Sequence, residues 1–324
     1  MTSSPAPLLC ALSIALFDLA PTAAADGATP NGPVVGWGEI THDGAAHTDA
    51  GNLFGTATEI AAGGSHSCAV QAGTGDVVCW GWNFSDQATP PDAVSGVSGA
   101  ATDIALGKLH SCAVQAGTGD VVCWGDDSYG EATPPDAVNG SSGSATEIGV
   151  GFRHSCAIQA GTRSVVCWGK DADGRTAPPD AVNGTSGTAT EIASGSAHSC
   201  AIQADTRNVV CWGDDAYGQA TPPDAVNGAS GTAIAIAAGD SHVCAIQAGT
   251  GDVVCWGDDF YRQATPPDAV NGVLGSAIDI AAGDEHTLAI VALPPDHALV
   301  RRELQNSPSP GRSTGRTPDS TRDK

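Results

Sequence analysis

Residues 101–143 read A-T-D-I-A-L-G-K-L-H-S-C-A-V-Q-A-G-T-G-D-V-V-C-W-G-D-D-S-Y-G-E-A-T-P-P-D-A-V-N-G-S-S-G, and this wording returns along most of the chain. Trp80, Trp124, Trp168, Trp212 and Trp256 stand 44 residues apart, as do His66, His110, His154, His198, His242 and His286. A fixed period of this length marks an array of like units, each too small to bury its own apolar face. Within the first complete unit, His66 to Gln71 alternates loosely and Asp76 to Gly81 is β-branched and aromatic, with the turn-like Ala72-Gly73-Thr74-Gly75 between them. That pattern predicts a β-hairpin. Helix is a poor alternative, because several glycines and a Pro-Pro pair leave no window of three turns free in any unit.

Repeats of 40 to 50 residues that hold several short strands predict an all-β fold, a β-propeller. Five complete His-to-Trp hairpins are present, and the ends hold two halves. Val34-Val35-Gly36-Trp37-Gly38 lacks its preceding His strand, and His286 to Val291 lacks its following Trp strand. Joined, they make a sixth hairpin. Pairing the first strand with the last closes a ring of six blades over residues 34–291 and removes the unpaired edges of an open array.

Each complete unit carries two cysteines eleven positions apart: Cys68 and Cys79, Cys112 and Cys123, Cys156 and Cys167, Cys200 and Cys211, Cys244 and Cys255. If Gln71 faces Asp76 across the turn, counting outward sets Val70 opposite Val77, Ala69 opposite Val78 and Cys68 opposite Cys79. Directly opposed Cα atoms in a non-hydrogen-bonded pair lie about 4.5 Å apart, within disulfide reach. The expectation is five disulfides, each inside one hairpin. Gly36 and Leu288 occupy the two cysteine positions of the composite hairpin, so there both partners are missing together.

A metal reading competes, since His66, Cys68 and Cys79 offer three ligands in a recurring set. Structural zinc takes four, and no fourth is evident. Asp171-Ala172-Asp173-Gly174 matches the start of a calcium loop but lacks the closing acidic residue of an EF-hand. No metal and no cofactor are expected. The histidines read as structural, an imidazole tying each strand to neighbouring backbone.

The pattern G-x-x-H-S-C-A-[VI] followed by V-V-C-W-G-D-D-x-Y-G-Q resembles the regulator of chromosome condensation repeat family of β-propellers. The resemblance covers about four fifths of the chain. The family usually closes with seven blades, carries Asn where Asp127, Asp171, Asp215 and Asp259 stand, and ends its motif in Leu-Gly rather than Ala-Thr-Pro-Pro. Membership implies guanine-nucleotide exchange on a small GTPase, the activity of eukaryotic members. The uniform spacing leaves no inserted wedge to open a nucleotide site. Exported bacterial members, one of them a β-lactamase inhibitor, are nearer in habitat.

Export is read from the N-terminus, where residues 1–25 are expected to be a signal peptide. Leu8 to Leu19 is mostly apolar, and Ala23-Ala24-Ala25 offers a cleavage site, although Asp18 interrupts the run and no Lys or Arg precedes it. Cleavage removes Cys10 and leaves an even ten cysteines, as pairing in an exported chain requires. The protein is therefore placed outside the cytosol: secreted, periplasmic or on the cell surface. Residues 26–33 read as a short linker and 292–324 as a disordered tail, in which Arg301, Arg302, Arg312, Arg316, Arg322 and Lys324 concentrate the basic charge. The 36 acidic and 13 basic side chains give a formal charge of −23, the wrong sign for a nucleic-acid binder. Past the N-terminus no apolar run approaches the length of a membrane span. A monomer is expected.

Comparison of the units with one another shows a constant framework with two variable stretches. One is the dipeptide before each histidine, including Lys108-Leu109 and Phe152-Arg153. The other follows each Trp-Gly, including Trp82 and Phe84, Tyr129, Tyr217, and Phe260-Tyr261. The hairpin register sets both at the same end of every blade. A rigid scaffold with varied loops on one side is a usual arrangement for recognition, and aromatic and Arg side chains are favoured contacts. Trp82, Phe84, Lys108, Leu109, Tyr129, Phe152, Arg153, Tyr217, Phe260 and Tyr261 are the candidate partner-binding residues, and the partner expected is another protein. A structural surface module whose loops vary for lack of constraint is the plain alternative. No Walker loop, dinucleotide fingerprint or His-Glu-x-x-His motif is present, so an enzyme is not expected.

Overall fold

A computed structural model describes residues 32–33 and 56–292. The expected signal peptide, Cys10, the half-hairpin at Val34–Gly38 and the basic tail from residue 293 lie outside the described residues. Among the described residues there is no helix. The first sheet holds β1 (Gly32–Pro33), β2 (Thr56–Ala62), β3 (His66–Gln71) and β4 (Val77–Gly81). Four three-stranded sheets follow. They are β5 (Ala101–Leu106), β6 (His110–Gln115) and β7 (Val121–Gly125); β8 (Ala145–Val150), β9 (His154–Gln159) and β10 (Val165–Gly169); β11 (Ala189–Ser194), β12 (His198–Gln203) and β13 (Val209–Gly213); and β14 (Ala233–Ala238), β15 (His242–Gln247) and β16 (Val253–Gly257). The sixth sheet is β17 (Ser276–Ala282) with β18 (Thr287–Ala292).

The hairpin register follows the count from the turn: Val70 pairs with Val77, Ala69 with Val78 and Cys68 with Cys79. All five intra-hairpin disulfides are present, with Cα atoms 4.0 to 4.1 Å apart. The strand that precedes each hairpin is the part periodicity did not isolate. It reads A-T-[DE]-I in the first four sheets, A-I-A-I in the fifth and A-I-D-I in the sixth, carries a register shift after its first alanine, and packs against the corresponding strand of the next sheet, so that these strands form the inner wall of the array.

One sheet is joined to the next by three repeated devices. Apolar side chains of consecutive sheets share a core: Trp124 packs against Val70, Val77 and Val94 of the preceding unit, and Trp168, Trp212 and Trp256 do the same one unit on. Each of these indoles also donates Nε1–H to a loop carbonyl of the preceding unit, as Trp124 does to Gln87 at 2.8 Å. The third device is the histidine. His66 Nε2 lies 2.7 Å from Ser111 Oγ of the next sheet, His110 meets Ser155, His154 meets Ser199 and His242 meets Thr287. The imidazole therefore ties to a hydroxyl rather than to neighbouring backbone as its sequence position implied. Strand alternation sends the Ser side chain towards the preceding sheet, where the ring can reach it.

At the two ends the same positions lose their cover. Ile60 is 65% exposed where its counterpart Ile104 is 4%, and Ile290 is 56% exposed where Ile246 is 0%. The sixth sheet has two strands, and the pairing that would close the ring involves Val34–Gly38, outside the described residues. One contact bears on it. Ala101 N donates to Gly75 O at 2.8 Å, and the same bond recurs from Ala145 to Gly119 and from Ala277 to Gly251, so each hairpin turn touches the following inner strand. Gly32, in the stretch read as linker, is the register partner of Ala57. It stands two residues before Val34 as Gly75 stands two before Val77.

Candidate functional site

The end of each hairpin away from the turn is built from the Trp-Gly pair. Gly81 leaves the third strand at φ +105°, and a Cβ there would lie 2.7 Å from Ser65 O, so only glycine lets the chain turn this close to the facing strand. The next residue then bonds back: Trp82 N to Ser65 O at 2.8 Å, Asp126 N to Leu109 O, Lys170 N to Arg153 O, Asp214 N to Ala197 O and Asp258 N to Ser241 O. The two variable stretches therefore run side by side in every complete unit, at one end of each hairpin.

The loops beyond are held rigid by their second acidic residue. Asp127 accepts from Ala132 N and Thr133 Oγ1, Asp215 from Ala220 N and Thr221 Oγ1, and Asp259 from Ala264 N and Thr265 Oγ1. Asn83 does the same work in the first unit. These carboxylates brace turns rather than standing free in solvent. Asp173 pairs with Arg175 at 2.9 Å, and among the described residues no group of acidic, His or Cys side chains is arranged to hold a metal ion.

On this framework the candidate residues sort into clusters. The guanidinium of Arg153 lies over two rings, 4.8 Å from the centre of Tyr129 and 4.7 Å from that of Phe152, and its Nη1 donates to Tyr129 Oη at 3.1 Å. Lys108 sits 5.5 Å from the Phe152 ring and reaches Asp240 at 2.7 Å, three units away along the chain. Phe84 and Phe260 are 85% and 80% exposed. Phe84 stacks on Trp82 with centres 6.2 Å apart, and Phe260 meets Tyr261 edge to face at 4.9 Å. Tyr217 is exposed, while Trp82, Phe152 and Leu109 are half-buried, because the adjoining loops fold against them.

Sequence reasoning did not single out Lys170, whose Nζ lies 5.1 Å from the Tyr129 ring, nor Asp240 and Asp284 as partners of Lys108. All three lie in the variable stretches, so their charges were the available signal. It also passed over the inner wall. Asp103 accepts from Ile148 N, Glu147 from Ile192 N and Glu191 from Ile236 N, each bond crossing to the next sheet at 2.8 to 2.9 Å. Burial pushes these carboxyls up: Glu147 to about 8, Glu191 to about 7, and Glu59, further raised by the charge of Asp103, to about 9. A strand that alternates between two walls hides such a residue, because a lone acid in A-T-E-I reads as solvent-facing.

With this geometry in hand, the comparisons with known proteins are specific. Four of the units match the regulator of chromosome condensation (RCC1) repeat. The matched segments are residues 57–87, 101–131, 189–219 and 233–263. Among curated proteins none matches the chain. Among solved structures, the CRINKLY WD40 ectodomain of the Arabidopsis thaliana receptor kinase ACR4 is 22% identical over 72% of this chain and 74% of its own, with a TM-score of 0.55. The ectodomain of the Physcomitrella patens receptor kinase CR4 is 26% identical over 69% of this chain and 58% of its own, with a TM-score of 0.54. Prp20p of Saccharomyces cerevisiae, a protein with binding properties to Gsp1p and histones, is 19% identical over 71% of this chain and 68% of its own, with a TM-score of 0.51. These likenesses establish the β-propeller fold for the RCC1-like units.

Proposed function

We propose that the chain is an exported binding scaffold that engages another protein through the loop face described above. The observation that carries this reading is the concentration of exposed aromatic and cationic side chains on that one face of an otherwise uniform framework. Single exposed apolar residues need no explanation, but Phe84, Phe260, Tyr261 and Tyr217 all stand at the same end of their hairpins. Five disulfides support an oxidising compartment, and two of the similar structures are receptor ectodomains. On this reading the chain is a binder and not an enzyme. The exchange-factor alternative has the repeat match and the likeness to Prp20p in its favour, while the disulfides separate the chain from a cytosolic GTPase.

Affinity capture from the exported fraction of the source organism tests it. The triple variant Trp82→Ala, Phe152→Ala, Arg153→Ala should lose a partner that the wild type retains. The double variant Arg163→Ala, Arg207→Ala, changed at turns on the opposite end of the hairpins, should retain it. Equal capture by wild type and triple variant overturns the reading.

A further inference from the structure

We propose that Arg153 and Lys170, mounted on the rings of Tyr129 and Phe152, form an oxyanion-binding subsite of the loop face, an inference that rests on that face being the binding surface. The chain holds 36 acidic side chains against 13 basic ones, so a cation on its surface has many carboxylates to choose from. Yet among the described residues neither Arg153 nor Lys170 has a carboxylate within 4.0 Å, whereas Lys108 and Arg175 do. Arg163, Arg207 and Arg262 lack one as well; what sets Arg153 and Lys170 apart is that the two share the Tyr129 ring. Two like charges held at one ring repel each other, and the fold gains only the modest attraction of exposed cation–ring contacts. An incoming anion relieves that repulsion.

The guanidinium is also set for the task. It carries five N–H donors, and the one side-chain hydrogen bond it makes among the described residues is from Nη1 to Tyr129 Oη. Nε is shut in by its surroundings without a partner, so the donors left for a ligand are those of the two Nη atoms. Contact with two rings and a bond to the phenol fix the plane of the fork before any ligand arrives, which reduces the entropy lost on binding. A planar fork beside a second cation suits a carboxylate or a phosphate group carried by the partner.

The test follows the Arg153 Nε–H resonance of the full exported chain at constant ionic strength, with sodium acetate in one arm and sodium phosphate in the other, each replacing chloride. A saturable shift in either arm is expected, and the arm that responds more strongly identifies the group. The Lys170 side-chain resonances should follow the same curve. Arg153→Lys, which keeps charge and ring contact but loses the fork, should bind about tenfold more weakly or worse. Arg163 Nε should stay still. No saturable shift in either arm, an equal response at Arg163, or undiminished binding by Arg153→Lys overturns the subsite. Capture lost in the triple variant with no anion response removes this inference and leaves the scaffold reading standing. The reverse pattern, a saturable shift with capture unchanged, removes the scaffold reading.

Discussion

His198 is the one described imidazole of the five full hairpins whose Nε2 has no partner, and restoring that partner is a sharp test of how the units are tied together. In the other four, the hydroxyl that meets Nε2 belongs to Ser111, Ser155, Ser199 or Thr287. At three of these sites the hydroxyl itself donates to a loop carbonyl, Ser111 to Gln87, Ser155 to Glu131 and Thr287 to Gln263. There the hydroxyl oxygen must accept, so the ring carries its proton on Nε2. Opposite His198 stands Val243, and both ring nitrogens of His198 are buried without a partner. Val243→Thr puts a hydroxyl where Thr287 has one, with the Gln219 carbonyl as its acceptor. Satisfying a buried donor is worth about 1 to 3 kcal/mol. Loss of one buried methyl costs about 0.8 kcal/mol. The net expectation is a gain of about 1 kcal/mol, raising Tm by about 2 to 4 °C for a domain of this size. The mirror change, Ser155→Val, orphans His110 and should cost about 2 kcal/mol. Thermal melts by circular dichroism give the shifts, and slowed exchange of the His198 Nε2 proton reports the new bond. A lowered Tm for Val243→Thr, or an unchanged exchange rate, refutes the hydroxyl tie.

Ring closure is read out by the pair Gly36→Cys, Leu288→Cys, which should form a sixth disulfide and make the non-reduced chain migrate faster than the reduced one; disulfide-linked dimers, or two free thiols, would show that Val34–Gly38 does not lie beside β18. Stability should be highest from about pH 4.5 to 6.5. Burial holds the rings of His66, His110 and His198 down to about pKa 4, so their contribution is complete above 6.5 and is lost as pH falls towards 4. The raised carboxyls Glu59, Glu147 and Glu191 act oppositely, and their contribution is lost as pH rises from 4.5 towards 7 to 9. Each group changes stability by at most about 1.4 kcal/mol per pH unit. Tm should therefore be lower at pH 8.5 than at pH 6, with Glu147→Gln narrowing the gap; a higher Tm at pH 8.5 contradicts the assignment. Glu131 is buried, with Oε2 accepting from Tyr129 N and Oε1 unpartnered, where Gln219 and Gln263 donate to Asp214 and Asp258. Burial raises its carboxyl, so Glu131→Gln should stabilise by about 1 kcal/mol, more at pH 8 than at pH 5, and no gain at pH 8 would count against it.

The hairpin and its disulfide were legible because both depend on local counting. Once Gln71 faces Asp76, every pair out to His66 and Gly81 follows, since a strand advances one residue per step on each side. The loop face was legible for the same reason, as its two stretches continue that register. The inner strand was less so, because A-T-E-I is short and carries a register shift, and its acid looks solvent-bound until the next sheet covers it. Lys170 was missed as a single change in a loop whose aromatic neighbour, Tyr129, comes from the preceding unit.

Periodicity in the chain alone therefore determined the repeat, the strand pairing within each hairpin, the cysteine partners and the end at which variation gathers, because these are set by neighbours a few residues apart. Contacts between units were decided only in three dimensions. The hydroxyl that meets His66, His110, His154 or His242 lies 45 residues on, the carbonyl that meets Trp124, Trp168, Trp212 or Trp256 lies 37 residues back, and Lys108 finds Asp240 three units away. Such separations depend on how one sheet packs against the next, and that angle is a property of side-chain packing across many residues rather than of any local run.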